Sequence, residues 1–172
     1  MRFFFVILLI FFKFEITYSS EKIAFIDLNY IMNNSISGQS INNFINDLKK
    51  KKIDEFRLTE DKIKKDENEL IAKKNIIEEN LYKQKVEKIK LRIKNYQNDR
   101  QNFNKSLDRK NIKFTNKLLE KLNPIISEYV KENSISVVFP KKMIIVGRKN
   151  LDITLPILDT LDKNIQKINF DE

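Results

Sequence analysis

The stretch "ISVVFPKKMIIVGRKNLDITLPILDTL", residues 135–161, carries two β-rich runs and then an amphipathic segment. The runs SISVVF (134–139) and KMIIVG (142–147) are dense in β-branched and aromatic residues, the types that suit a pleated strand, and they are split by Pro140-Lys141-Lys142. The other strand candidate is KIAFIDL, residues 22–28. A strand at the start must therefore wait for partners near the end. We expect the three runs to share one small sheet, and what lies between them to leave the sheet and return. A sheet of a few short strands is marginal alone, so several copies are expected to pool strands in a homo-oligomer. Its body would use Phe25, Ile26, Val137, Phe139 and Ile145.

From Ser40 to Pro124 the chain has neither glycine nor proline, which suits long helices. Apolar residues recur at helical spacing. Phe56, Ile63, Leu70 and Ile77 are seven apart, with Glu60, Glu67 and Lys74 in the companion row. Beyond Leu81 a second register appears: Tyr82, Ile89, Tyr96 and Phe103, beside Val86, Ile93, Leu107 and Phe114, with Arg100 in one slot. The pattern is coiled-coil-like, but the first half has a thin seam. One straight helix would be about 140 Å long, and the end strands could not meet. An antiparallel hairpin with its tip near 78–86 is expected, on the register change there and on Asn80, a weak helix former. The root of the returning helix, LLEKLNPIISEYVKEN, is far denser in apolar residues and should be buried, and Pro124 inside it could kink the helix. SISGQS (35–40) reads as a breaker with Gly38 at a bend. The last helix, LDITLPILDTLDKNIQKI, is expected to be capped by Asp152 or Thr154, with Pro156 in its first turn and Leu158, Leu161, Ile165 and Ile168 on its apolar side.

The fold class is thus α+β and mostly helical. Residues 20–40 and 118–172 form the body and 41–117 the helical arm. Ahead of them, residues 1–19 have a basic start and ten apolar residues from Phe3 to Phe12, then small and polar ones. This is the layout of a signal peptide, with cleavage best after Ser19, and it implies export. The apolar run is about half the length of a membrane-spanning helix.

There is no Cys, His or Trp, which removes thiolate nucleophiles, Cys/His zinc sites and histidine acid–base chemistry. Two glycines cannot write a phosphate-binding loop or a dinucleotide fingerprint. Carboxylates, lysines and hydroxyls remain, but no convergent catalytic group is legible, so no enzyme, cofactor or metal is expected. The 33 Lys/Arg against 24 Asp/Glu give a net charge of +9. From Lys83 to Lys117, twelve Lys/Arg face only Glu87, Asp99 and Asp108, so this arm alone holds about as much. A basic surface seeks anions. A nucleic-acid binder would share this charge, but no reading motif accompanies it and export argues against it, so nucleic acid is not expected as a physiological partner. A spacer tethering envelope layers is the other alternative.

Together these features resemble the Skp/OmpH family of periplasmic chaperones. KIAFIDLNYIMNNSISGQS is similar to the family's opening strand, short helix and Ser-x-x-Gly bend, here Ser35, Gly38 and Gln39. KLLEKLNPIISEYVKENSISVVF resembles its returning helix and strand, and LDITLPILDTLDK its closing helix. The resemblance implies a homotrimer with a barrel-like body and three hairpin arms around a cavity. It also implies an ATP-independent holdase that keeps unfolded outer-membrane β-barrel proteins soluble in the periplasm. Client contacts would come from Phe56, Ile63, Tyr96 and Phe103, with Lys88 and Arg92 supplying charge. A lipopolysaccharide-type site would fall on Arg109 and Lys110, with Arg100 beside Asp99, where the family's further basic member is replaced. An anionic membrane surface would suit the same charge.

Overall fold

The structure, a computed structural model, describes residues 21–170; the export segment expected at 1–19 lies outside them. Strand β1 (Lys22–Ile26) leads through helix α1 (Leu28–Asn34) into the outgoing helix α2 (Ile36–Ala72). Helix α3 (Glu79–Glu132) returns, strand β2 (Ile135–Pro140) follows, and two short 3-10 turns, Lys141–Met143 and Lys149–Leu151, lead to helix α4 (Thr154–Asn164). Among the described residues no helix is long and apolar enough to cross a membrane.

β1 and β2 pair in parallel, with Ile23 opposite Val137 and Phe25 opposite Phe139. Parallel neighbours need a crossover connection, and here the crossover is the whole hairpin. Ala24 and Ile26 face the core, while Ile23, Val137 and Phe139 lie on the opposite, open face. The other edge of β1 is taken by the segment before α4: the Phe25 carbonyl accepts from Ile153 N–H at 3.0 Å, and Asp27 N–H donates to Thr154 Oγ1 at 2.9 Å. Among the described residues the outer edge of β2 has no such neighbour.

The core sits where the hairpin meets this sheet. Phe114, Leu118, Leu122 and Ile125 of α3 pack with Ile31 of α1, Ile41 of α2, Ile135, and Ile153, Ile157 and Leu161 around α4. The dense root of α3 is therefore buried, as its composition indicated. Pro124 is accommodated inside α3 because it lies on the exposed side, where the Glu120 carbonyl it leaves unbonded meets water. The turn from α3 into β2 uses Ser134 at φ 52°, the left-handed cap position usually given to glycine.

Five expectations are corrected. The tip lies at residues 73–78, ahead of 78–86. α3, with 54 residues, is longer than the 37-residue α2 because it continues past the start of α2 into the body. KMIIVG is not a strand: it begins in a 3-10 turn and leaves Ile145 99% and Val146 90% exposed. Both edges of β1 are occupied, by β2 and by the segment at Asp152, and among the described residues the run does not take up the remaining edge, on β2. Gly38 marks no break. It sits in the first turn of α2, donates its N–H to the capping Ser35 Oγ at 3.1 Å, and leaves room for Met32, whose carbonyl oxygen would lie 2.0 Å from an added Cβ. Finally, α4 stops at Asn164, so Ile165 and Ile168 reach the core from an extended tail rather than from a helix face. Pro156 does fall in the first turn of α4, but the N-cap is Ile153 rather than Asp152 or Thr154, and Asp152, one residue ahead of it, accepts from Thr154 N–H at 3.0 Å.

The body is fastened by polar contacts across long sequence distances. Asp162 of α4 accepts from Ile36 N–H at 2.8 Å, placing an anion at the N-terminus of α2. Lys141 Nζ donates to Asp152 at 2.9 Å. Burial alone would raise the Asp152 carboxyl, but hydrogen bonds from Thr154 and Lys141 outweigh it and hold it below the usual range.

Gly38→Ala should destabilise the chain by about 1–3 kcal/mol in urea unfolding, although alanine gains roughly 1 kcal/mol in an unobstructed helix. Thr154→Val should cost roughly 1–3 kcal/mol by leaving the Asp27 N–H without its acceptor. The Asp152 carboxyl is depressed on folding. Its contribution is therefore complete above its unfolded value, near 3.9, and is lost as pH falls through the lower folded value. Acid unfolding of Asp152→Asn should accordingly show a shallower loss of stability below about pH 4 than the parent chain.

Candidate functional site

The arms are held by a seam one or two residues wide. Phe56 of α2 meets Tyr96 of α3 edge-on at 5.8 Å between ring centroids, and Phe103 at 5.9 Å. Ile63 and Leu70 are 6% and 8% exposed between the helices. The seven-residue rows read from the sequence thus form the inside of the hairpin, because residues at that spacing stay on one helix face. Of the residues expected to touch clients, Ile63 is buried in the seam, while Phe56, Tyr96 and Phe103 pack on one another and stay partly exposed. Use of Ile63 by a client would require the hairpin to open.

Polar side chains clasp the same seam. Tyr96 Oη donates to Glu60 Oε2 at 2.8 Å, and this hydrogen bond, with burial, raises the Tyr96 hydroxyl above its ordinary value. Arg92 forms an ion pair with Asp66 across the arms; its hydrogen bond is the main reason the Asp66 carboxyl lies low. Lys88, one turn before Arg92, shares a cleft with Asp66, Lys73 and Lys85. Larger clefts of about 360 and 440 Å³ open beside Tyr82 and Ile93 and beside Glu60 and Tyr96. The thin seam leaves these gaps unfilled.

The charge lies outside the seam. Lys94, Lys105 and Arg109 are exposed along α3, as are most of its cations. Arg100 reaches over the Tyr96 ring at 5.7 Å. The three residues of the lipopolysaccharide-type site are not brought together. Arg100 and Arg109 are nine residues apart on one continuous helix, about 13 Å and half a revolution apart. Lys110 follows Arg109 but turns to a third direction.

Sequence reasoning passed over the apolar residues that stand off the seven-residue rows. Ile53, Leu58, Leu91 and Ile112 are 51–60% exposed on the arm shafts, and Ile76 at the tip is 80% exposed. Falling outside the seam's period was the signal that they could not be buried by it.

At the body, Phe25 and Ile26 are 7% and 4% exposed and belong to the chain's own core, with the Phe25 ring directly beneath Gly147. Val137, Phe139 and Ile145 remain open. Ile23 and Val146 are likewise exposed.

Phe56→Ala removes two aromatic edge contacts, each worth about 0.5–1.5 kcal/mol beyond area burial. It should speed trypsin cleavage at the arm lysines several-fold and leave the body's thermal transition in place. A loss of body stability instead would show that arm and body unfold together.

Comparison with known proteins follows this geometry. The family model for outer membrane protein (OmpH-like) matches residues 22–161, from β1 into α4. A crystal structure of a candidate OmpH-like outer membrane chaperone from Caulobacter crescentus CB15 superposes with a TM-score of 0.80. The two are 17% identical, and the match covers 88% of this chain and 90% of that one, a likeness of fold. No curated protein matches the chain. Since the family match takes in both strands and all of the hairpin, the chain belongs to the OmpH-like outer membrane protein family.

Proposed function

We propose that the chain is an exported, ATP-independent holdase that binds unfolded outer-membrane proteins between basic helical arms and keeps them soluble in the periplasm. The observation that carries this is the division of labour on the arms. The regular apolar rows close the hairpin, while exposed cations of α3 such as Lys94, Lys105 and Arg109 and the off-row Ile53, Leu58, Leu91 and Ile112 are left for another molecule. Such scattered contacts are individually weak and unspecific in sequence, which suits a binder of many clients. Repetition over several arms converts them into avidity.

Oligomerisation supports the same reading. The outer edge of β2, with Val137 and Phe139 exposed on the strand itself, offers backbone pairing and apolar side chains to another copy. A trimer closed through this edge would set three arms around one cavity. The expected client classes follow from charge: acidic unfolded chains are attracted over distance, and anionic lipid surfaces are attracted by the same field without a built site. The leader expected at 1–19 would deliver the chain to the periplasm.

The test is dilution of a urea-unfolded outer-membrane β-barrel into buffer with the mature chain, followed by light scattering. Aggregation should be suppressed at about one trimer per client. Protection should weaken between 0.05 and 1 M salt as the screening length falls from about 14 to 3 Å. A Lys94→Gln/Lys105→Gln/Arg109→Gln variant should slow client capture and show less salt dependence. A folded, oligomeric chain that leaves aggregation unchanged at every salt concentration would refute the holdase reading.

A further inference from the structure

The last described residues, 165–170, lie beyond both the family match and the end of α4. They form neither helix nor strand, yet they are anchored. Ile168 is 4% exposed, and the Phe170 ring stacks on Phe44 with centroids 4.3 Å apart and planes 3° from parallel. The same ring meets Phe114 edge-on at 5.0 Å, and Phe44 meets Phe114 at 5.5 Å. Phe44 belongs to α2 and Phe114 to α3, so the tail fills an aromatic groove where the two arms join the body.

We infer that this groove is a binding site for an extended, aromatic-bearing segment of an unfolded client, and that the C-terminal tail is its built-in competitor. The inference rests on the holdase reading and deepens it. The occupant seen in the groove has the form of such a segment: a stretch without helix or ladder, with apolar residues at alternate positions 168 and 170. Its anchors are the side chains of Ile165, Ile168 and Phe170, so the groove reads apolar and aromatic character rather than a particular sequence. Lys117 stands over the Phe114 ring at 5.8 Å. A tethered tail acts at high effective concentration. It would shield an aromatic surface while no client is present and yield when a client brings several contacts at once.

The full-length chain carrying Ile168→Ser and Phe170→Ser tests this. Apparent client affinity is reduced by the fraction of sites that the tail occupies, so releasing the tail should tighten client binding on the order of tenfold. A fluorescent peptide of residues 164–170, NIQKINF, should bind the double variant and be excluded from the parent chain, as read by anisotropy. Lys167→Ser, an exposed change in the same segment, should alter neither readout. Phe170→Ala alone carries the same prediction if the double variant loses its helical circular dichroism. A folded variant with unchanged client affinity and no peptide capture would overturn the inference and make the tail a structural strap. Peptide capture without any client binding, by parent or variant, would instead count against the holdase reading.

Discussion

The parallel pairing of β1 with β2 is the constraint from which the shape of this chain follows. Lys22 Nζ bonds the Asn133 carbonyl across 111 residues at 3.0 Å, and the ladder runs on from there. Parallel strands enter from the same end, so the intervening chain must go out and come back. Two helices of unequal length accomplish this. The surplus length of α3 becomes the central element of the core, through Phe114, Leu118, Leu122 and Ile125. The edge bonds from Ile153 and Asp27 then fix α4, and Asp162 of α4 in turn caps α2. Each contact in this circuit joins residues that are far apart in sequence. The body is therefore expected to form and be lost as one unit.

The arms are built differently. Past Phe44 and Phe114 no broad apolar face remains, and the hairpin is held by isolated contacts: Phe56 with Tyr96 and Phe103, then Ile63 and Leu70, and the Glu60 and Asp66 clasps. Exposed ion pairs such as Lys83–Glu79 and Lys90–Glu87 lie within one helix and add little, on the order of 0.5 kcal/mol each. The net positive charge of α3 opposes close approach of neighbouring arms. Weak cohesion and like charge together give arms that can separate to different widths while the body keeps its structure.

Much of this was legible in the sequence because it rests on local chemistry. The glycine- and proline-free span from Ser40 to Pro124 is a helix signal whatever packs around it, and the seven-residue rows fixed which residues face each other. The tip was misplaced because Asn80 drew attention. The better signal was electrostatic: Lys73 and Lys74 follow the C-terminus of α2, and Glu78 and Glu79 open α3, each charge complementing its helix end. KMIIVG was misread because strand propensity describes a residue's fitness for a sheet and not whether it is taken into one. Gly38 was misassigned for a similar reason. Its role is a close approach to Met32, which no local pattern encodes. The aromatic groove under Phe170 depends on Phe44, Phe114 and the tail converging from three distant places in the chain, and nothing in their spacing announced it.

Native-state hydrogen exchange resolved along the chain tests the central claim most directly, since it measures how tightly each segment is held. The account predicts that amides of β1, β2, the 114–126 stretch of α3 and α4 exchange slowly and together, close to the global unfolding limit. Amides of α2 and α3 between about Leu48 and Leu107 should exchange through local opening, orders of magnitude faster, despite being helical. Equal protection from tip to body would contradict it. The arms would then be rigid extensions of the core, and a seam of isolated contacts could not be what sets their motion.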